Sequence, residues 1–287
     1  MKLNAFKGCA TVCASLLLLS SCSTENDSLD QKETVTEKQK VSQETLTQIN
    51  NLGMNPNYVE WGDFYYPDGS SEKRLFVEND MVLTKEQLTA MDALDKKVKG
   101  EESSSKQYRT SNLVNQGRNI SIIGFTGGSQ ALTSKERTAL QWAIDNYNRL
   151  NTISIRFTLT FGTNYGNKDM VVYNNSVNNS DGAGGSAGFP SNGAPNKFVQ
   201  IYNIENYDTN VIEHVLTHEI GHSVGFRHTD YFSRQSCGQN VNEGGDAILI
   251  NGTPSGYDPT SIMLSCFSAS EDGEFGDNDI IALNAMY

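Results

Sequence analysis

The stretch that decides the fold runs over residues 218–228 and reads HEIGHSVGFRH. His218 and His222 are four residues apart, so on a helix they share one face and can bind one metal ion. Glu219 stands beside them, where a carboxylate can take a proton from water that the metal activates. Gly225 can adopt the left-handed conformation that ends a helix, and the turn can bring back His228. Three nitrogen ligands leave one tetrahedral position open, as is typical of a catalytic zinc site.

A second motif lies further along the chain, where Ser261, Ile262 and Met263 are similar to a Met-turn, a tight turn whose methionine lies beneath the zinc ligands. Together with the histidine motif, it resembles the metzincin metallopeptidases. The letters HEIGH, followed by FRHTD over residues 226–230, are most similar to the bacterial dual-action HEIGH metallopeptidase family. This resemblance implies a Zn²⁺ cofactor on three histidines and hydrolysis of peptide bonds with Glu219 as the general base.

The resemblance also implies an α+β fold, with a metzincin-like zinc protease domain over residues 112–287 and a small propeptide before it. The domain would contain a twisted mixed sheet, a backing helix, an active-site helix and an irregular lower subdomain with a C-terminal helix. Local patterns predict strands at 120–125, 153–161, 170–173 and 198–202, and helices at 134–150, 209–224 and from 277 onward. Residues 181–195, crowded with Gly, Ser and Pro, predict a loop. The edge strand that pairs with substrate is expected at 198–202 or in the strand before it.

Two further residues bear on the ligand set. His214 also precedes His218 by four residues, but the outer two of three such histidines lie about 12 Å apart on a helix and cannot share one ion. We therefore expect His214 to be a packing or surface residue. Some metzincins carry a tyrosine two residues after the Met-turn methionine as an additional ligand. Ser265 holds that place here, so three protein ligands are expected.

The N-terminal residues predict export and a lipid anchor. Residues 1–21 combine Lys2 and Lys7 with a short apolar stretch, as in a signal peptide. LSSC at residues 19–22 resembles a bacterial lipobox, so Cys22 would carry a lipid that tethers the chain to the outer membrane. The acidic run at residues 25–27 resembles surface-export signals, which favours the cell surface. The alternative is an ordinary secretory signal with an incidental Cys22.

Residues 22–55 are polar and predict a flexible tether, and residues 56–111 predict a propeptide with a linker at 101–106. Lys106 and Arg109 are positions at which a trypsin-like enzyme could release the catalytic domain. Latency needs a group that displaces the catalytic water, and no cysteine lies between residues 23 and 110. An aspartate is the remaining reasonable ligand, and Asp80 and Asp63 are the candidates. The alternative is that both are ordinary turn residues.

Cys237 and Cys266 remain after the signal peptide is removed and Cys22 is lipidated. An exported chain meets an oxidising or thiol-poor environment, which favours a disulfide between them, with two free buried thiols as the alternative.

The formal net charge is −12, and no basic patch could neutralise phosphates, so nucleic acid is excluded as a partner. The sequence thus predicts a monomeric, lipid-anchored zinc endopeptidase that acts on protein or peptide substrates and is made as a latent zymogen. The competing function is a surface lipoprotein that uses a protease-like fold for adhesion or ligand binding.

Overall fold

An eight-stranded mixed sheet organises residues 39–287, which the computed structural model describes except for 100–107, 180–181, 242–246 and 255. The strands follow one another across the sheet in the order β1-β2-β3-β8-β9-β7-β5-β6. Their bounds are β1 (Val59–Tyr65), β2 (Ser71–Val77), β3 (Met81–Leu83), β5 (Asn119–Phe125), β6 (Arg156–Gly162), β7 (Met170–Asn174), β8 (Gly184–Ala187) and β9 (Phe198–Tyr202). A separate two-stranded ribbon joins β4 (Tyr108–Arg109) to β10 (Ile248–Leu249).

Five α-helices occur in the described ranges: α1 (Gln43–Asn51), α2 (Lys85–Lys99), α3 (Ser134–Arg149), α4 (Thr209–Ser223) and α5 (Asp277–Met286). A capping box begins α3, since the Thr133 hydroxyl accepts the N–H of Glu136 while the Glu136 carboxylate accepts the N–H of Thr133. Every helix in these ranges is too short or too polar to cross a membrane. The α+β fold class is confirmed.

The main core lies between one face of the sheet and helices α3, α4 and α5. Apolar side chains of β5, β7 and β9 on that face pack against the apolar stripes of the helices, including Leu140, Ile144, Ile212 and Leu216. Tyr147, fully buried on α3, donates its hydroxyl hydrogen to the carbonyl of Thr217 on α4, 2.9 Å away. These contacts fix α4, the helix that carries the histidine motif.

The N-terminal strands form a smaller core of their own. β1, β2 and β3 pair antiparallel in sequence, and their inner residues pack against α1 and α2. The buried members of this core are Ile49, Leu52, Met54, Leu75, Val77, Met81, Leu83, Leu88, Met91 and Phe189. Phe189 is the one buried member that comes from the expected catalytic domain. The two parts of the sheet meet where β3 pairs parallel with β8, through the register Met81↔Ala187.

Three expectations differ from the structure. The tether prediction is wrong for residues 43–51, which form α1, because the Ser42 hydroxyl caps its first turn and Ile49 is fully buried. The loop predicted at 181–195 contains β8, which main-chain pairing to β9 stabilises although its glycine-rich sequence has no alternating pattern. Arg109, named above as a position for proteolytic release, is half-buried and pairs with Ile248 in the β4–β10 ribbon, which makes it a poor protease site.

Candidate metal centre

Helix α4 presents His218 and His222 on successive turns of one face. The helix ends at Ser223, and Gly225 then takes a φ of +113°, in the region that favours glycine. A Cβ at Gly225 would also lie 2.7 Å from Cδ2 of Leu113, so a side chain here would collide with its neighbour. The sharp turn at this glycine brings His228 back toward the helix.

The three histidines meet Asp80, which comes from the turn between β2 and β3. In the part of the chain that the structure describes, these four residues are the group that could hold a metal ion, with ligand atoms within 4.8 Å of one another. Nε2 of His228 lies 3.3 Å from Nε2 of His222 and 2.9 Å from Oδ2 of Asp80. Nε2 of His218 lies 3.6 Å from the same carboxylate oxygen.

The hydrogen bond that each ring makes through its outer nitrogen, Nδ1, determines which nitrogen carries the proton and which faces the centre of the group. Nδ1 of His218 lies 2.8 Å from the carbonyl oxygen of Ile262, and Nδ1 of His222 lies 2.9 Å from that of Phe226. A carbonyl only accepts, so both Nδ1 atoms carry the proton and both Nε2 atoms present a lone pair. Nδ1 of His228 lies 2.7 Å from Oε2 of Glu78, which likewise can only accept when ionised. Three imidazole lone pairs and a carboxylate therefore converge on one point.

This arrangement fits a zinc ion. Neighbouring ligand atoms in a tetrahedral site with bonds of about 2.0 Å lie about 3.3 Å apart. Three of the separations here are 2.9 Å between His228 and Asp80, 3.3 Å between His222 and His228 and 3.6 Å between His218 and Asp80, and all ligand atoms lie within 4.8 Å of one another. Nε2 of His218 and Oδ1 of Asp80 are buried and have no hydrogen-bond partner among the described residues. Buried polar atoms without a partner are costly, and a bound cation would satisfy both.

The electrostatics of the group also favour a cation. Burial, together with the neighbouring imidazoles, lowers the pKa of His222 well below its ordinary value, so this ring is neutral as a ligand must be. Burial lowers the pKa of His228 as well, but the carboxylates of Asp80 and Glu78 outweigh it and raise that pKa to about 10. A positive charge is thus favoured between His228 and the carboxylates.

Glu219 lies beside this group on α4. Its side chain is buried, and its Oε2 has no hydrogen-bond partner among the described residues. Burial raises the pKa of Glu219 well above its ordinary value, and the negative charge of Asp80 adds to the effect. The carboxylate packs against Gly185 of β8, where a Cβ would lie 2.6 Å from Cγ of Glu219. A carboxylate poised to accept a proton is therefore held between the helix and β8.

The Met-turn lies beneath the histidines and is held from both sides. Sδ of Met263 would lie 2.6 Å from a Cβ at Gly221, so the absence of a side chain there lets the methionine pack under α4. Asp279 of α5 accepts hydrogen bonds from the Ser261 hydroxyl and from the N–H of Ile262, at 2.8 and 2.9 Å. Since the carbonyl of Ile262 accepts from His218, this carboxylate helps to position a ligand.

The other candidate residues occupy different places. Asp63 lies on the surface, 3.0 Å from Nζ of Lys73, and does not belong to the group. His214 is buried beside Phe267, with its ring 6.4 Å from that of Phe267, and is a packing residue. A disulfide joins Cys237 to Cys266, whose Cα atoms are 5.2 Å apart. Cys22 and the signal peptide lie outside the described residues.

Sequence reasoning missed Glu78, Gly185 and Asp279. Glu78 and Asp279 read as ordinary acidic residues of a turn and a helix start, and Gly185 was one glycine of a predicted loop. The signal in the sequence that could have indicated Glu78 is its position two residues before Asp80, which was itself a predicted metal ligand.

The model of the dual-action HEIGH metallo-peptidase family matches residues 75–287, which include the β2–β3 turn with Asp80 as well as the three histidines. The chain belongs to the dual-action HEIGH metallo-peptidases. As a member of this family it is a metallopeptidase, and its group of three histidines and one aspartate could bind a zinc ion.

Solved structures similar to this HEIGH metallo-peptidase include two of myroilysin. One is 15% identical, covers 62% of this chain and 82% of its own, and has a TM-score of 0.40. The other is 17% identical, covers 60% and 84%, and has a TM-score of 0.37. No curated protein sequence matches the chain.

Proposed function

We propose that this HEIGH metallo-peptidase is a zinc-dependent endopeptidase that is exported, lipid-anchored and made in a latent form. The observation that carries the proposal is the convergence of His218, His222 and His228 on one point with Glu219 buried beside it. Three imidazole nitrogen ligands and an adjacent carboxylate are the set that metallopeptidase chemistry requires.

In the proposed reaction, the zinc ion and Glu219 have different roles. When bound, zinc supplies a Lewis acid that makes water acidic near neutral pH and polarises a peptide carbonyl. Glu219 accepts the proton that water gives up and passes it to the nitrogen of the leaving amine. Burial of Glu219 and its contact with β8 hold the carboxylate in one orientation, which keeps the proton acceptor close to the scissile bond of a peptide lying along β8.

Latency is supported by the position of Asp80. Its carboxylate stands among the histidine nitrogens, where the catalytic water of an active enzyme would have to bind. β3, which follows Asp80 directly, pairs with β8 and covers the strand next to Glu219. A peptide substrate and a water molecule are thus both displaced by the same N-terminal segment, and removal of that segment would open the site.

The location of the enzyme is proposed from its sequence. The basic and apolar residues of 1–21 and the LSSC stretch ending at Cys22 support export and a lipid anchor on the bacterial outer membrane, with a monomeric catalytic domain facing protein substrates. Replacing Cys22 by Ala should move the protein from the membrane fraction to the soluble fraction. An unchanged distribution between the two fractions would refute the proposal of a lipid anchor on Cys22.

The decisive test uses the full chain with Asp80→Ala, alone and combined with Glu219→Ala. We expect the single variant to bind one zinc ion and to cleave denatured casein, with cleavage lost on addition of a chelator. The double variant should keep its zinc and lose at least a hundredfold in rate, the range for loss of a general base. A folded, zinc-loaded single variant that cleaves nothing even after limited proteolysis has removed its N-terminal segment would favour the ligand-binding function instead.

A further inference from the structure

We propose that Glu78 is a positioning residue of the zinc site, which orients His228 and strengthens zinc binding in the full-length chain. This inference rests on the zinc site of the proposed function and concerns a residue outside the histidine motif.

The contacts of Glu78 are those of a fixed carboxylate. Its Oε2 accepts the Nδ1 proton of His228 at 2.7 Å, and both side chains are fully buried. Its Oε1 accepts the N–H of Asn55 at 2.8 Å. Because each oxygen has its own donor, the carboxylate cannot rotate without breaking a buried hydrogen bond.

A buried cation accompanies this carboxylate. Arg227, next to His228 in sequence, is buried and donates to the carbonyl oxygens of Leu52 and Gly53. Its guanidinium is close enough for its charge and that of Glu78 to stabilise each other. Burial of a carboxylate is costly unless a positive charge is near, and the buried guanidinium of Arg227 offsets part of that cost.

The backbone of the turn is unusual in the same place. Glu78 has a φ of +54° and Asn79 a φ of +84°, both in the left-handed region. Asparagine tolerates this region, but a glutamate there is uncommon and persists when the surroundings hold it. The turn lets two carboxylates bracket one ring, with Glu78 at Nδ1 of His228 and Asp80 at its Nε2.

The three histidines differ in the group that contacts their outer nitrogen, Nδ1, and this difference bears on zinc binding. His218 and His222 are oriented by backbone carbonyls of the expected catalytic domain, whereas His228 is oriented by a side chain of the N-terminal segment. A carboxylate on the outer nitrogen fixes the ring and makes it a better ligand, and its loss costs 10–100-fold in metal affinity. When the β2–β3 turn leaves, the site therefore loses Asp80 and Glu78 together.

The test measures zinc affinity of the full-length chain by competition with a fluorescent chelator. Glu78→Gln should weaken zinc binding by about tenfold or more, since a neutral amide replaces the carboxylate. Glu136→Gln is the matched control, because Glu136 is also a fully buried carboxylate but bonds Thr133 and Asn174 instead. The absorption bands of bound Co²⁺ should shift in the first variant and stay unchanged in the control.

The outcomes separate the two proposals. If the wild type binds zinc and Glu78→Gln matches it in affinity and Co²⁺ spectrum, the role of Glu78 is wrong while the zinc site stands. If the wild type binds no zinc, the proposed function itself fails. Should the variant not fold, the zinc-loaded wild type still gives an answer by proton NMR. The Nδ1 proton of His228 should resonate further downfield than those of His218 and His222, and equal shifts would overturn the proposal.

Discussion

Oδ2 of Asp80 lies 2.9 Å from Nε2 of His228, although the two residues are 148 positions apart in the chain. The contact puts an acidic side chain of the N-terminal segment among the three histidines of the motif. Of the two aspartates that the sequence offered as residues that block the site, Asp80 therefore lies among the histidines and Asp63 does not. The two can be tested one against the other.

Replacing Asp80 by Ala should raise the peptidase activity of the full-length chain at least tenfold, because the position that the carboxylate holds becomes open to water. Asp63→Ala is the matched control, since Asp63 lies on the surface with Lys73. Initial rates on a quenched fluorescent protein substrate would measure both. Equal rates for wild type and Asp80→Ala would refute latency through this residue.

A methyl group at Gly185 should displace the general base. A Cβ there would lie 2.6 Å from Cγ of Glu219 and 2.9 Å from the carbonyl oxygen of Gln200, so the carboxylate has to move. In the Asp80→Ala background we expect Gly185→Ala to lower kcat at least tenfold with zinc content unchanged. Gly166→Ala, whose Cβ would come no closer than 3.8 Å to another residue, should leave kcat as it was. Normal kcat in Gly185→Ala would show that Glu219 tolerates the shift.

Removal of the Cys237–Cys266 disulfide should lower the free energy of unfolding by about 3 kcal/mol, since the bond closes a loop across a sequence separation of 29 residues. Thermal unfolding of the Cys237→Ala, Cys266→Ala double variant would measure the change. Reductant should bring the wild type to the same Tm and leave the variant unaffected. A reductant-insensitive wild type would mean that the two cysteines are not bonded in solution.

Glu213 should make the protein less stable as the pH rises. Burial, and then the charge of Glu274, raise its pKa from 4.5 to about 7. Between these two values the folded chain binds more protons than the unfolded chain, so the free energy of unfolding falls with pH, and the loss is complete above about pH 7. Glu213→Gln keeps an acceptor for Asn146 and does not ionise.

The stability gain from Glu213→Gln should therefore be small near pH 4.5 and about 1–3 kcal/mol at pH 8. Paired Tm measurements at the two pH values would show it, and any titration of the histidines cancels in the difference between variant and wild type. A gain of the same size at both pH values would mean that packing, not ionisation, explains the effect.

Local sequence patterns were sufficient for most of the expected catalytic domain. The strand at 198–202 has the bounds predicted, and α3 and α4 begin at the predicted residues 134 and 209. Helix periodicity and cap chemistry act within a few residues, so a single sequence records them. The spacing of the histidine motif likewise predicted that the three histidines meet, because α4 and the Gly225 turn bring them together within eleven residues.

The elements that depend on distant partners could not be predicted in this way. β8 has the sequence Gly-Gly-Ser-Ala, which carries no strand signal, and it exists because β9 and β3 pair with it. Glu78 bonds a histidine 150 positions later, and no periodicity encodes such a contact. The same holds for Asp279 and the Met-turn, where a helix cap on one segment fixes the backbone of another.

A single residue pair, Met81 with Ala187, joins β3 to β8, so the large sheet can separate between these two strands. In the proposed activation, loss of the N-terminal strands would leave β8 as a bare edge whose amide and carbonyl groups can pair with an extended chain. An unpaired strand edge can pair with an exposed strand of another molecule, including another copy of the enzyme. Two glycines, a serine and an alanine form a poor template for that kind of self-association, while their small side chains leave room for a substrate backbone. In the proposed mature enzyme, the weak strand sequence would thus protect against aggregation at the same surface that accepts a peptide.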